Sequence, residues 1–147
     1  MAYWLLKTEP DTYGWDDLVR ERRTAWTGVA NPQAQANLRA MKAGDRAILY
    51  HSGEKRAIGV VEVERTAYPD PTADDPGLVC VDVRPVEPLP APVPLEALKQ
   101  EPVFEGSVLL RQGRLSVVPL APAEWRELAS LADVIAKTGG LRRKKRF

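Results

Sequence analysis

The sequence predicts a single mixed α+β domain, built as a small, partly open β-barrel with short helices around it. Three observations predict this class: several short strand patterns, three short helical patterns, and turns rich in proline and glycine between them. The length of 147 residues fits one domain with one core.

The first strand and the first helix are expected near the start of the chain. Tyr3 to Lys7 is aromatic and apolar, which predicts a buried strand. Pro10 ends it, because the residue before a proline is pushed out of the helical region. Asp11 or Thr12 is expected to cap a short helix. The apolar side of this helix would carry Trp15, Leu18 and Val19.

The second helix is predicted from Asn31 and Pro32, an N-cap residue followed by a proline at the first helical position. Its apolar stripe contains one amide, Asn37. Burying this side chain without partners would cost on the order of 1–3 kcal/mol, so we expect it to have partners. These partners are either loop backbone or a ligand.

Three strands are predicted in the middle of the chain. A Gly44-Asp45 turn leads into a strand from Arg46 to His51. A polar hairpin loop then leads into a strand from Ala57 to Thr66, in which Gly59 indicates a bulge or a close backbone approach. After a long turn-rich loop, Leu78 to Val86 forms the third strand, with valine at alternate positions.

The last part of the chain begins with five prolines between Pro85 and Pro94, which predict an extended connector without regular structure. Pro94 then starts a short helix. Val108 to Leu110 and Arg114 to Val118 are expected to pair as short strands, which Pro119 ends. Pro122 opens the last helix, whose apolar side carries Trp125, Leu128, Ala129 and Ala132.

The charge is unevenly distributed along the chain. The last six residues hold five of the 21 basic groups, and the other residues carry 16 basic and 20 acidic groups, a net charge of −4. A mildly acidic body is not that of a protein that coats DNA through a broad positive face. The basic tail is either a solvated end or a salt-sensitive phosphate contact.

Cysteine and histidine are too few for several kinds of site. Cys80 stands alone, so an internal disulfide is excluded. With one cysteine and one histidine, the chain also lacks a zinc framework. We expect no metal and no cofactor. No apolar run approaches the roughly 20 residues of a membrane span, and no signal segment is present, so a cytoplasmic protein without a membrane partner is expected.

Five segments in order resemble the EVE domain, over about residues 1–132. They are Lys7-Thr8-Glu9-Pro10; Trp26-Thr27-Gly28-Val29 with Asn31, Ala34 and Asn37; Gly44-Asp45 with Tyr50-His51-Ser52; Tyr68-Pro69-Asp70; and Gly113-Arg114-Leu115-Ser116-Val117. Gly53 and Gln112 look like mild departures from the family's commonest pattern. Residues 133–147 would then form a flexible basic C-terminal tail.

The resemblance implies a PUA-like fold, related to the YTH and ASCH domains, with five or six strands forming a small barrel flanked by helices. It also implies a pocket on one side of the barrel. Proteins of this family look like readers of modified bases in DNA or RNA, and a 5-substituted cytosine is the usual suggestion. The expected function is therefore a non-enzymatic, monomeric module that binds nucleic acid.

The candidate binding residues supply the chemistry that a base taken out of its stack requires. Aromatic faces return roughly 1–3 kcal/mol per stacked base, and amides and hydroxyls read the Watson–Crick edge. The predicted aromatic walls are Trp26 and Tyr50; the predicted edge readers are Asn31, Asn37 and Ser52; His51 would read the edge or hold the loop; Lys7 and Arg114 would meet a phosphate or the base carbonyl. The alternative for Trp26 is core packing, and for His51 a structural hydrogen bond.

Two other functions are open on the same sequence. Lys7, Thr8 and Glu9 resemble the catalytic groups of small ASCH-like amidohydrolases that act on modified cytidines, with Lys7 activating Thr8. Against this, adjacent strand residues alternate faces, so Thr8 should point away from both neighbours. The third possibility is a protein-interaction domain that uses the proline-rich residues 85–94 as a docking segment.

Overall fold

One open six-stranded sheet organises the molecule, in the order β2-β5-β4-β3-β1-β6. The structure is a computed structural model, and it describes residues 1–139. The strands are β1 (Tyr3–Thr8), β2 (Thr24–Ala25), β3 (Arg46–His51), β4 (Arg56–Pro69), β5 (Val79–Pro94) and β6 (Val117–Leu120). The helices are α1 (Trp15–Glu21), α2 (Pro32–Ala40), α3 (Leu95–Lys99), α4 (Val108–Arg111) and α5 (Pro122–Thr138), with a 3₁₀ turn at Pro102–Phe104.

The predicted α+β class is confirmed, and the six strands agree with the predicted five or six, but they form an open sheet and not a barrel. β2 and β6 are its two edges. Within residues 1–139, no helix has both the length and the apolar composition for crossing a membrane.

The interior strands β1 and β3 form a parallel pair, which runs in register from Tyr3 beside Arg46 to Thr8 beside His51. Parallel strands are covered on both faces, which explains why β1 and β3 are nearly continuous runs of apolar residues. Leu5, Leu6 and Leu49 are fully buried there. The polar residues that end the two strands, Thr8 and His51, therefore emerge side by side at one end of the sheet.

The close approach predicted at Gly59 is confirmed. The register between β3 and β4 shifts opposite Gly59, and so does the register between β4 and β5. A Cβ atom at Gly59 would lie 2.5 Å from Cζ3 of Trp15, so the indole at the start of α1 occupies the space that a side chain would need. Gly59 thus lets α1 pack directly on the sheet.

The prediction of an extended connector at the proline-rich segment is wrong, because this segment is the second half of β5. It pairs antiparallel with β4, from Pro85 beside Val61 to Pro94 beside Arg56. Prolines at alternate positions from 88 to 94 place all their missing N–H groups on one side of the strand. β2 pairs with β5 at Asp82 and Val83, so among residues 1–139 no strand pairs with the outer edge of the proline half of β5, and that edge needs no N–H donors.

The predicted strand from Val108 to Leu110 is wrong. These residues form the helical turn α4, because the Ser107 hydroxyl caps it by accepting from the backbone N–H of Leu110 at 3.2 Å. The following strand, β6, starts at Val117 and contains Pro119, which tolerates this position because β6 is an edge.

Two of the predicted helix starts are confirmed and one is wrong. The N-cap of α2 is Asn31, as predicted, and Pro122 opens α5, as predicted. The N-cap of α1 is Gly14, not Asp11 or Thr12; the carboxylate of Asp17 accepts from the backbone N–H of Gly14 at 2.8 Å.

The last helix extends past the domain boundary predicted at residue 132. α5 continues to Thr138, and Gly139 ends it in the left-handed conformation that helix C-termini favour. The basic run Arg142–Arg146 of the predicted tail lies outside the described residues.

Candidate functional site

A cavity of about 440 Å³ opens where the first strand ends. One wall is formed by residues 24–30, which include β2 and the loop after it. The opposite side is formed by Lys7 and Thr8 of β1 and by Ser116, and residues 12–13 close a third side. The cavity thus joins segments that are far apart in the sequence.

The aromatic surface of the cavity is made by Trp26 and Tyr13. The two rings meet edge to face, with their centroids 6.4 Å apart and their planes at 87°. Only 8% of the surface of Trp26 is exposed, so most of its indole belongs to the core while one part borders the cavity. The Tyr13 hydroxyl donates to Glu21 at 2.7 Å, and burial raises the pKa of Tyr13 to about 12.

The wall that carries Trp26 is fixed by Asp70. Gly28 has a φ of +78°, a left-handed conformation that favours glycine, and its N–H donates to Oδ2 of Asp70 at 2.9 Å. The other carboxylate oxygen accepts from the hydroxyl and backbone N–H of Thr72. Burial alone would raise the pKa of Asp70, but the hydrogen bonds from Thr72 and Gly28 outweigh it and hold the pKa below its usual value.

Lys7 supplies the positive charge of the cavity. Its Nζ donates to the backbone oxygen of Gly113 at 2.7 Å and lies 5.8 Å from the centroid of the Tyr50 ring. Burial lowers the pKa of Lys7. An ammonium has three N–H donors, and within residues 1–139 one is engaged, which leaves two for a ligand.

The remaining polar groups of the cavity are hydroxyls. Thr8 donates its hydroxyl proton to the backbone oxygen of Tyr13 at 2.7 Å, so it faces a ligand as an acceptor. Among the described residues, the hydroxyls of Thr27 and Ser116 have no protein partner and are available as donors or acceptors. No described residue that lines the cavity is acidic.

Of the eight predicted binding residues, Lys7 and Trp26 line this cavity. The predicted edge readers Asn31 and Asn37 make structural hydrogen bonds. Asn31 accepts from the N–H of Ala34 at 2.9 Å as the cap of α2. Asn37 donates to the backbone oxygen of Val117 at 2.7 Å, so its expected partners exist, and they include strand backbone.

The residues at the end of β3 are also engaged within the protein. Tyr50 is 3% exposed and lies beneath Lys7. Nε2 of His51 accepts from the backbone N–H of Trp15 at 3.2 Å, which places the ring proton on Nδ1, 2.9 Å from the Glu54 carboxylate. The Ser52 hydroxyl donates to Glu9 at 2.6 Å.

Arg114 is exposed, in the loop whose Gly113 oxygen holds Lys7. For Arg114 and the five engaged residues, ligand contact stays a prediction that the structure does not test. Sequence reasoning missed Tyr13 and Asp70 as parts of the site. The turn residues Tyr68-Pro69-Asp70 were a signal for Asp70; Tyr13 carried none.

The groups proposed for an amidohydrolase are only partly together. Lys7 and Thr8 both line the cavity, contrary to the alternation argument, because Thr8 is the last residue of β1 and the cavity lies at the strand's end. Glu9, however, is bonded to Ser52. Within residues 1–139, no group of histidine, cysteine and carboxylate side chains is placed to hold a metal ion.

A larger groove of about 700 Å³ lies elsewhere, between the proline half of β5 and the end of α5. Its lining is mostly alanine, proline and aliphatic side chains, and it contains none of the predicted site residues. The chain leaves the described residues at its rim, at Gly139. The polar and aromatic chemistry belongs to the smaller cavity, which we take as the candidate site.

Fold and site together define a PUA-like α+β domain with an aromatic cavity at one end of an open sheet. The fold is similar to the YTH domain of the Zygosaccharomyces rouxii MRB1 protein, with a TM-score of 0.53 at 11% identity. The model of the EVE domain family matches residues 2–131. The chain belongs to the EVE domain family.

Three relatives show how closely the chain follows this family. Thymocyte nuclear protein 1 of Mus musculus is 34% identical over 89% of this chain and 74% of its own. The crystal structure of protein Atu2648 from Agrobacterium tumefaciens is 40% identical, with a TM-score of 0.86 over 90% of this chain and 93% of that one. Human THYN1 protein, crystallised with 5-methylcytosine-containing DNA, is 32% identical, with a TM-score of 0.80 over 90% and 98%.

Proposed function

We propose that this domain is a non-enzymatic module that binds a modified base of a nucleic acid, a 5-substituted cytosine, in the cavity between β1 and residues 24–30. The observation that carries the proposal is the composition of that cavity: an indole, an ammonium and free hydroxyls, with no acidic side chain among its described residues. The human THYN1 protein bound to 5-methylcytosine-containing DNA supports the choice of ligand.

The polar groups of the cavity match the edge of cytosine. An ammonium only donates, so Lys7 suits the carbonyl oxygen of the base. The exocyclic amine of cytosine is a donor and needs an acceptor, which the hydroxyl of Thr8 or Ser116 offers. No described residue that lines the cavity is acidic, so no carboxylate of the lining neutralises the charge of Lys7.

The apolar groups of the cavity match the substituent and the ring. Trp26 exposes a small part of its indole to the cavity and Tyr13 adds a second ring, and base stacking on an aromatic side chain returns roughly 1–3 kcal/mol. Ala25, Val29 and Ala30 give the same wall aliphatic surface. A methyl group on a pyrimidine is recognised by such apolar contact.

A titration tests this function. Fluorescence anisotropy would compare an oligonucleotide carrying one 5-methylcytosine with its unmodified twin at fixed salt. One buried methyl group contributes about 0.8 kcal/mol, so we expect about fourfold or tighter binding of the methylated strand. Ser116→Ala should weaken the binding of both oligonucleotides, while Ser130→Ala, on the exposed side of α5, should not. Equal affinity for both strands would overturn the proposal.

The amidohydrolase is less well supported than a binding module. The cavity contains the amine of Lys7 and the hydroxyl of Thr8, but the Thr8 proton is directed to the Tyr13 oxygen, away from any base, and Glu9 is held by Ser52. Incubation with N4-acylated cytidine, followed by chromatography, separates the two functions: turnover that Lys7→Ala abolishes would favour the enzyme.

The protein-interaction alternative loses the segment on which it depended. Residues 85–94 belong to β5 and pair with β4, so they are not a free extended ligand.

The choice of DNA over RNA follows the human relative. A monomer and a cytoplasmic location stay predictions, and the name of the mouse relative, a nuclear protein, does not support the latter.

A further inference from the structure

Arg22 occupies a backbone conformation that arginine rarely adopts. It follows α1 with φ 72° and ψ −17°, and its N–H donates to the oxygen of Leu18 at 2.7 Å. Glycine or asparagine is the usual residue at such a left-handed helix end. For other residues this conformation is strained, and such strain is often retained for function.

The neighbours of Arg22 in the chain have side-chain partners, whereas Arg22 has none among the described residues. Arg20 contacts Asp17 at 2.6 Å, and Arg23 contacts Glu64 at 3.1 Å. Glu21 accepts from the Tyr13 hydroxyl. The Arg22 side chain is exposed, and no carboxylate within residues 1–139 pairs with it.

Arg22 is close in the chain to a residue that lines the candidate site. Thr24, two residues later, lines the cavity, and two residues of extended chain span at most about 7 Å. On the other side of the cavity, Arg114 is exposed and lies two residues before the lining residue Ser116. Arginines therefore stand next to two different walls of one cavity.

We propose that Arg22 and Arg114 bind backbone phosphates on either side of the nucleotide whose base enters the cavity. The partner is then a polynucleotide strand and not a free nucleoside. This inference rests on the proposed function. Arginine suits the role because its planar guanidinium can donate two parallel hydrogen bonds to one phosphate.

Phosphate contacts leave a signature that base contacts do not. Each one releases a counterion and contributes about 0.7 to 0.9 to the slope of log K against log salt concentration. They carry no sequence information, so the ratio of affinities for methylated and unmodified strands should not change when one is removed.

The experiment measures this slope for the full-length protein with the methylated oligonucleotide. Arg22→Asn removes the charge and suits the left-handed backbone, and Arg22→Gly removes the charge together with the whole side chain while still suiting that backbone. We expect each variant, and Arg114→Gln, to make the slope shallower by about 0.7 to 0.9, and the double variant by about twice as much. Arg22→Lys should keep the wild-type slope.

Lys137→Gln is the matched control, because Lys137 is exposed on α5, no residue of which lines the cavity. A wild-type slope in both Arg22→Asn and Arg22→Gly would overturn the inference. If the arginine variants lose no more slope than Lys137→Gln does, the inference is also overturned, because the loss then reflects the overall charge of the protein and not a phosphate contact. If the wild type does not discriminate methylated from unmodified strands, the proposed function fails, and the slopes still report whether these arginines contact phosphate.

Discussion

The carboxylate of Asp70 accepts a hydrogen bond from the backbone N–H of Gly28 at 2.9 Å, across 42 residues of sequence. This bond ties the turn after β4 to the wall of the cavity two residues after Trp26. The buried carboxylate also accepts from Thr72 through its other oxygen. The shape of the candidate site therefore depends on a side chain that does not line it.

Asp70→Asn should lower the free energy of unfolding at pH 7 by about 1–3 kcal/mol, since an amide nitrogen or a neutral oxygen replaces one of the charged acceptors. The folded-state pKa of Asp70 lies below its ordinary value of 3.8. Its ionised form therefore contributes stability that is complete above that value and is lost as the pH falls through the folded-state pKa.

Urea denaturation at pH 7 and near pH 2 checks this, and the difference between wild type and Asp70→Asn should shrink at the lower pH. Asp74→Asn, an exposed position in the same turn, is the control and should change little at either pH. A difference that is constant with pH would contradict the assignment.

Local sequence rules predicted the parts of the fold that depend on neighbouring residues. Asn31 followed by Pro32 specifies a helix start by itself, and Gly59 marked a close approach without saying that Trp15 makes it. The proline half of β5 could not be predicted in this way. Prolines fit into a strand only where no neighbouring strand needs their N–H groups, and this depends on where β2 ends beside β5.

The parts of the site that could be predicted are those that residue type and motif reveal. Trp26 and Lys7 stand out by type and motif, and both line the cavity. Asn37 also stood out, but its partner, the oxygen of Val117, lies 80 residues away. Without the packing of α2 on β6, sequence alone does not distinguish an amide that serves the fold from one that awaits a ligand.

Substitution of Asn31 separates its structural role from the predicted role in ligand binding. Asn31→Ala removes the cap of α2 and should cost about 1 kcal/mol of stability. Asn31→Ser keeps a capping oxygen and should restore most of that stability. Thermal denaturation measures both. If Asn31 only caps the helix, both variants keep the wild-type ratio of affinities for methylated and unmodified strands; a loss of that ratio in Asn31→Ser would identify a ligand contact.

Gly59→Ala should destabilise the protein by about 1–3 kcal/mol, because the new Cβ would overlap the Trp15 ring and displace α1 from the sheet. Gly113→Ala is the matched control, since a Cβ there meets no atom within 4 Å and its φ is not positive. Equilibrium denaturation in urea compares the two. Equal stabilities would show that the close approach at Gly59 relaxes without cost.

Lys7→Met should weaken binding without weakening the fold. Burial lowers the pKa of Lys7 below its ordinary 10.5, so at pH 7 the charged side chain carries a desolvation cost in the folded state. Methionine fills similar space without that cost and loses the hydrogen bond to Gly113, so the free energy of unfolding should stay within about 1 kcal/mol of wild type.

The affinity for the methylated oligonucleotide should fall by about 10- to 100-fold in Lys7→Met, the value of a hydrogen bond from a charged donor. Wild-type affinity should fall as the pH rises through the lowered pKa of Lys7, below 10.5, because the ammonium loses its charge there. The methionine variant should not show this step. Lys42→Met, an exposed lysine with the same change of charge, is the control. If Lys7→Met binds with wild-type affinity, or if both proteins show the same pH step, Lys7 does not contact the carbonyl oxygen of the base.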